Sequence, residues 1–392
     1  MNNFNSPILN SLYNLIPESG NIDWCALEEA GFGEWFCKMR AIPQEYDYHA
    51  EGSVYNHVKL VVETMITLPE FKECVAEEKL ILFLSAILHD LGKIKRTRIE
   101  DGQIISPGHS AKGATMAREF LWKDLGLSGS EEKQRIREAV CLLVRYHSFP
   151  PYATKDEKAL YKLLKIVVNK ELTPSFSARL LYILSKADVM GRICFDMDAQ
   201  LEKVEFFKLF AEDFGCFNSS YSFEDNYTAR AYFQGKTDWP KDSLYSPNWG
   251  EVILLSGLPG VGKDTFIANN YSELPVVCLD NVRKKLGVLP TDPQGAVIAT
   301  AQEEAKEYLR KAQPFVWNAT NISTQIRQKQ ISLFERYGAG VRTIFLETEW
   351  EEGIRRNRER EAVVPQVEIE KMLSKLELPE RYESEKVEWK IN

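Results

Sequence analysis

Gly257-Leu258-Pro259-Gly260-Val261-Gly262-Lys263 is the stretch of this chain best suited to chemistry. Glycines and a lysine at this spacing make a loop whose backbone N–H groups can face an anion while the lysine reaches terminal phosphate oxygens. The apolar run Val252–Leu255 precedes it and a helical segment follows. The loop would then open a helix whose positive dipole end favours the same anion. Gly257, Gly260, Val261, Gly262, Lys263, Asp264 and Thr265 are therefore candidates to bind ATP or another nucleoside triphosphate with Mg²⁺. One position departs from the usual pattern. The residue after the lysine ordinarily carries a hydroxyl that ligates Mg²⁺, and here it is Asp264. A carboxylate can also hold hydrated Mg²⁺. At the strand end where a metal-holding aspartate is usual, the sequence reads Trp317-Asn318.

Asp280 lies just past the apolar run Val276–Leu279, at the carboxyl end of an expected strand, where parallel sheets bind ligands. Arg283 follows one helical turn later. A carboxylate that can take a hydroxyl proton, beside an arginine that can grip an acceptor phosphate, suits phosphoryl transfer. Arg356 and Arg360 are also a turn apart, and arginine is the preferred bidentate phosphate ligand. The same run, interleaved with Glu351, Glu352 and Glu359, equally reads as an exposed helix laced with i,i+4 pairs.

All five histidines fall between positions 49 and 147. Leu80–Leu88 is apolar almost all round and ends in His89-Asp90. A buried imidazole and carboxylate need a partner or a metal. His57 shares a face with Val54 and Val61, His147 with Val140 and Leu143, and Asp188 with Leu181 and Leu184. Four helices thus aim ligand-type side chains at one core. Imidazole plus carboxylate without thiolate suits Mn²⁺, Fe²⁺, Co²⁺, Ni²⁺, Zn²⁺ or Mg²⁺. Two such ions would clamp a phosphoryl group and acidify a bridging water. His49 can touch substrate or make a structural hydrogen bond, and Lys93 can contact a phosphate.

The elements that must position these groups form two sets. Helical patterns near 53–68, 79–90, 110–125, 132–147, 157–170 and 176–190 fill the first half, with Ser53 as an N-cap, Gly92 as a stop and almost no strand signal. Residues 234–250 lack periodicity. Beyond them Val252–Leu255, Val276–Leu279, Phe315–Trp317 and Val341–Leu346 alternate with helices, which predicts a parallel sheet with crossovers. The expected organisation is an all-α domain over 1–235, a linker over 236–250 and an α/β domain over 251–392. A length of 392 residues agrees with two cores. No apolar run is long enough to span a bilayer, and the N-terminus lacks signal-peptide character, so no membrane partner and a cytoplasmic location are expected. Seven scattered cysteines read as reduced, buried thiols. A net charge of −8 argues against strong non-specific nucleic-acid binding, though not against a local basic groove.

Over about residues 250–380 the chain resembles the 5′-hydroxyl polynucleotide kinase family. The matching features are Gly257–Lys263, Asp280-x-x-Arg283, Thr320-Asn321 with Arg327 downstream, and Arg356–Arg360 followed by Val364-Pro365. The resemblance implies Asp280 as general base on a 5′-hydroxyl, Arg283 on the acceptor's phosphate, Arg356 and Arg360 as a lid, and Asn321 and Arg327 on the nucleotide side. Over about 45–195 the chain resembles the HD phosphohydrolases through His57, Leu88-His89-Asp90-Leu91-Gly92-Lys93 and Asp188, with His109 and His147 matching the extra ligands of two-metal members. Together the halves look like the bacterial end-healing family of that architecture. This implies phosphorylation of 5′-hydroxyl RNA or DNA ends, removal of 2′,3′-cyclic and 2′-phosphate ends, and a downstream ligase. Two other readings stay open: an HD nucleotidase fused to a nucleoside or other small-molecule kinase, and a regulatory module in which the HD domain gates an NTPase.

Overall fold

A computed structural model describes residues 3–18, 20–245, 248–289, 292–360 and 362–392. The chain forms two compact units. One holds residues 1–127 and 132–221, the other 128–131 and 222–392.

The first unit is helical. Its main helices are Val54–Thr67, Ala76–Leu88, His109–Glu119, Glu131–Tyr146, Ala159–Val167, Ala178–Met190 and Met197–Asp213. Ser53 starts the first by accepting from the Asn56 N–H, and Ser177 starts the sixth by accepting from the Leu180 N–H, satisfying orphan donors of the opening turns. Leu80–Leu88 is buried at every position. The chain then turns through Gly92, where a Cβ would stand 2.0 Å from the His109 carbonyl oxygen. Only glycine permits that approach, which sets His89-Asp90 against the start of the helix carrying His109. Strands are present where almost none were expected: Arg98–Glu100 and Gln103–Ile105 form an antiparallel hairpin. Asp101 and Gly102 both take positive φ in its turn, a chemistry that the Asp-Gly dipeptide signals.

The second unit contains a five-stranded parallel sheet in the order Val276–Cys278, Val316–Asn318, Glu251–Ser256, Gly340–Glu347, Lys386–Ile391. Glu251–Ser256 is central, and its neighbours lie on opposite sides, so the loop after it sits where strand order reverses. Phe315, Trp317, Ile331 and Phe334 pack the core beside the sheet. The edge strand Lys386–Ile391 was not among the expected strands. The unit begins before the segment 236–250 expected as a linker. Helix Asn226–Phe233 belongs to it, and the buried Arg230 pairs with Glu335. Residues 246–247 of that segment lie outside the described residues.

Among the described residues no helix is long and apolar enough to cross a membrane. All seven cysteines are free, but the expectation of uniform burial fails: Cys25 and Cys37 are exposed.

Candidate active sites

In the helical unit, three imidazoles are oriented the same way. His89 Nδ1 is 2.8 Å from the Ala86 carbonyl, His147 Nδ1 2.8 Å from Val144, and His109 Nδ1 2.9 Å from Ser106. A carbonyl can only accept, so each Nδ1 carries the proton and each Nε2 a lone pair. His57 places its Nδ1 2.9 Å from Glu51 Oε1 and its Nε2 3.0 Å from Asp188 Oδ1, so its Nε2 also faces inward. The four Nε2 atoms meet in pairs. His57 Nε2 and His89 Nε2 are 3.3 Å apart, and His109 Nε2 and His147 Nε2 are 3.4 Å apart.

Asp90 divides its oxygens between the two pairs. Oδ2 lies 3.7 Å from His57 Nε2 and 3.5 Å from His89 Nε2, while Oδ1 lies 3.4 Å from His109 Nε2 and 3.9 Å from His147 Nε2. Asp188 Oδ1 adds to the first pair, 3.0 Å from His57 Nε2. Imidazole nitrogens and carboxylates gathered at these separations need protons or a metal cation between them. The donor set therefore fits divalent metal in two adjoining clusters, His57/His89/Asp90 with Asp188, and Asp90/His109/His147.

The electrostatics agree. Burial pushes His147 down to about 3 and lowers His109, keeping both imidazoles neutral and ligand-ready. Burial also opposes charge on His89, but the Asp90 carboxylate outweighs it and raises that imidazole. Burial works against ionising Asp90 and Asp188 too; Lys93 and the histidines hold the first well below the usual carboxylate range, and Arg192 and His57 do so for the second.

The six expected ligands thus converge, and three further residues join them. Glu51 is nearly buried and bridges His57 Nδ1 and His49 Nδ1, the latter at 2.8 Å. His49 consequently has a structural bond, and burial lowers it to about 4. Arg192 grips Asp188 through Nε at 3.2 Å and Nη2 at 2.6 Å. Gln44 accepts from Lys93 Nζ at 2.6 Å, while the same ammonium lies 2.7 Å from Asp90 Oδ2. A cleft of about 530 Å³ opens on the clusters and is lined by Tyr48, His49, Lys93, Ser148, Tyr152 and Arg192, among others.

In the α/β unit, the loop Gly257–Gly262 joins strand Glu251–Ser256 to helix Lys263–Asn270. Gly257 and Gly260 have φ of 149° and 84°. A Cβ on them would stand 2.6 Å from the Leu346 oxygen and 2.1 Å from the Gly353 oxygen. The loop therefore packs directly on the strand end and helix that lead to Arg356. Lys263 Nζ donates to the Gly257 and Leu258 carbonyls, both at 2.9 Å. Burial, and then the Arg360 charge, pull it down to about 8 against Asp264 and Asp280. Val261 is buried, whereas Asp264 and Thr265 are exposed. Asp264 Oδ1 accepts from Asn318 Nδ2 at 2.7 Å.

Helix Leu279–Leu286 follows strand Val276–Cys278 directly and carries Asp280 and Arg283 on one face. Asp280 pairs closely with Arg283 through Oδ1 and accepts from Arg360 Nη2 through Oδ2 at 3.0 Å. Arg283 is further held by Gln294 at 2.7 Å. The glutamate-laced reading also applies in part: Arg355 pairs with Glu352 and Glu359, and Arg356 pairs with Glu352 at 2.7 Å.

Asn321 and Arg327 sit differently from a nucleotide-contacting pair. Asn321 is buried with φ of 45° and donates to the Leu255 carbonyl at 2.6 Å. Arg327 is fully buried. Its Nε and Nη2 bind Glu383 at 2.6 and 2.7 Å, and its Nη1 donates to the Asn321 and Glu377 carbonyls. With every guanidinium nitrogen engaged inside the domain, it ties Asn321 to the segments at Glu377 and Glu383.

Residues 54–189 match the HD domain family, and residues 252–379 match the AAA domain family. The chain thus fuses a phosphohydrolase-type HD domain to a P-loop domain of kinase-like type.

Proposed function

We propose that the chain heals broken polynucleotide ends. Its P-loop domain transfers the terminal phosphoryl group of ATP or another NTP to a 5′-hydroxyl, and its HD domain hydrolyses 2′,3′-cyclic and 2′-phosphate ends. The observation that carries this reading is Asp280, a half-exposed carboxylate at a strand's carboxyl end, bracketed by Arg283 and Arg360. An NTPase that only hydrolyses must orient water. A base flanked by two arginines is suited instead to a hydroxyl attached to a phosphate-bearing acceptor.

In the kinase reaction Asp280 accepts the hydroxyl proton as the γ-phosphorus is attacked. Arg283 holds the acceptor's phosphate. Lys263 exchanges its two loop carbonyls for β- and γ-oxygens, and Arg356 and Arg360 close on the NTP phosphates. In the HD domain, His57, His89, Asp90 and Asp188, with His109 and His147, would hold divalent metal. Bound there, the metal supplies an electrophile for a phosphoryl oxygen and an acidified water. Glu51 lies against His57 Nδ1 and His49 Nδ1, and Lys93 and Arg192 present positive charge to the substrate phosphate. The products, a 5′-phosphate and a free 3′ end, are what a ligase joins.

The test offers γ-labelled ATP with 5′-hydroxyl RNA and DNA oligonucleotides and, separately, with free nucleosides. Parallel reactions supply a 2′,3′-cyclic phosphate end and divalent metal. Labelled oligonucleotide and metal-dependent ring opening are expected. Label entering nucleosides alone would replace this reading with a small-molecule kinase.

A further inference from the structure

Asp264 and Asn318 each break the usual pattern of a nucleotide-binding loop, and they touch. Ordinarily the residue after the loop lysine offers a hydroxyl, and an aspartate at a neighbouring strand end supplies the carboxylate; together they hold Mg²⁺. Here the carboxylate stands on the loop helix at Asp264, and the strand end at Asn318 carries an amide. The pair retains one carboxylate and one hydrogen-bond donor but exchanges their places.

We propose that this exchange is functional: Asp264 is the protein's Mg²⁺-holding carboxylate for the bound NTP, and Asn318 is its positioning residue. The geometry supplies three supports. Asn318 Nδ2 donates to Asp264 Oδ1 at 2.7 Å. The reverse amide orientation would set oxygen against carboxylate, so the donor must face Asp264. Asn318 is itself fixed. It is 5 % exposed, its strand pairs in register with Leu255 on one side and Cys278 on the other, and its Nδ2 also points to Cys278 Sγ at 3.7 Å. Finally, Asp264 is exposed in the first turn of helix Lys263–Asn270, immediately after the lysine that meets the phosphates. With Oδ1 anchored, Oδ2 and the remaining lone pair of Oδ1 are left for a hydrated cation, whose preferred ligands are oxygens.

The exchange makes a specific prediction about substitutions. Asp264→Ser removes the carboxylate that directly follows the loop lysine. Asn318→Asp sets two carboxylates at hydrogen-bond distance, so one takes a proton or moves away. Asp264→Ser combined with Asn318→Asp restores the ordinary arrangement, with the charge at the strand end and the hydroxyl on the loop.

This inference rests on the NTP-binding part of the proposed function and is indifferent to the acceptor. ATP binding to the full chain is therefore measured by calorimetry against Mg²⁺ concentration and in EDTA. Thermal melts confirm folding, and Asp264→Glu serves as the variant that keeps the charge. The apparent Mg²⁺ affinity of the ATP complex should fall about 10–100-fold in each single substitution, the range for altered support of a metal site. It should recover in the double substitution and largely persist in Asp264→Glu. Unchanged Mg²⁺ dependence in a folded Asp264→Ser protein overturns the inference. So does a double variant no better than the worse single one. Absence of ATP binding in the unsubstituted chain would instead remove the nucleotide reading, while binding without transfer to a 5′-hydroxyl would remove only the polynucleotide acceptor.

Discussion

Asp280→Asn should separate catalysis from stability. The substitution keeps the shape of the side chain and removes its basicity. Loss of a general base costs about 10²–10⁴ in rate, equivalent to roughly 3–5 kcal/mol of transition-state stabilisation. The folded state loses far less. Asp280 is 49 % exposed, and its partners Arg283 and Arg360 are 22 % and 32 % exposed. Solvent screens each of these two pairs to about 0.2–1 kcal/mol, together at most about 2 kcal/mol, which moves a melting temperature by no more than about 8 °C in a domain of this size. The assay is single-turnover transfer from γ-labelled ATP to a 5′-hydroxyl oligonucleotide, with thermal melting and cyclic-phosphate hydrolysis measured on the same preparations. Transfer should collapse while the melt and the hydrolysis hold. Transfer within tenfold of the unsubstituted rate would refute Asp280 as the base. A melt lowered by far more than about 8 °C would show that the carboxylate mainly supports the fold.

Asp90→Asn should abolish phosphoester hydrolysis and reduce bound metal at both clusters, read by elemental analysis, while kinase activity persists; metal content equal to the unsubstituted protein would contradict the shared role of this carboxylate. Because Asp90 raises His89 above the ordinary 6.5, a proton competes with metal there. Metal affinity should fall as pH is lowered through a range that begins above 6.5, with proton release on loading, and a calorimetric titration that is flat across neutral pH would remove His89 from the ligand set. Glu383→Ala leaves the fully buried Arg327 without its carboxylate and should cost about 3–5 kcal/mol. Adding Arg327→Met should recover part of that loss in a denaturant melt.

The convergence of these side chains was legible because imidazoles and carboxylates on otherwise apolar helix faces conflict with burial unless something binds them. Their supports were harder to read. Glu51 lies in the non-helical lead-in before Ser53, where no periodicity marks a face, although His49-x-Glu51 could have drawn notice. Arg192 sits one turn after Asp188, at the end of its helix, a spacing that a search for i,i+4 partners would find. In the second unit, the run after the phosphate loop showed Asp280 and Arg283 correctly on one helix. The burial of Arg327 was not legible because its carboxylate partner, Glu383, lies 56 positions away. The edge strand Lys386–Ile391 alternates polar and apolar residues, unlike the continuous apolar runs of the inner strands, and so fell outside the pattern sought. Asp264 and Asn318 were each visible as departures; their contact across 54 positions was not.

Asp90 faces one imidazole pair with each of its oxygens. Two ions held there would share this carboxylate and would not bind independently. An ion drawn to one oxygen would withdraw electron density from the other and pin the carboxylate's rotation, so it would both weaken and pre-orient the second position. The affinity of each position would then depend on whether the other is filled. A titration with a single metal should show two linked steps, the second with an affinity different from the first.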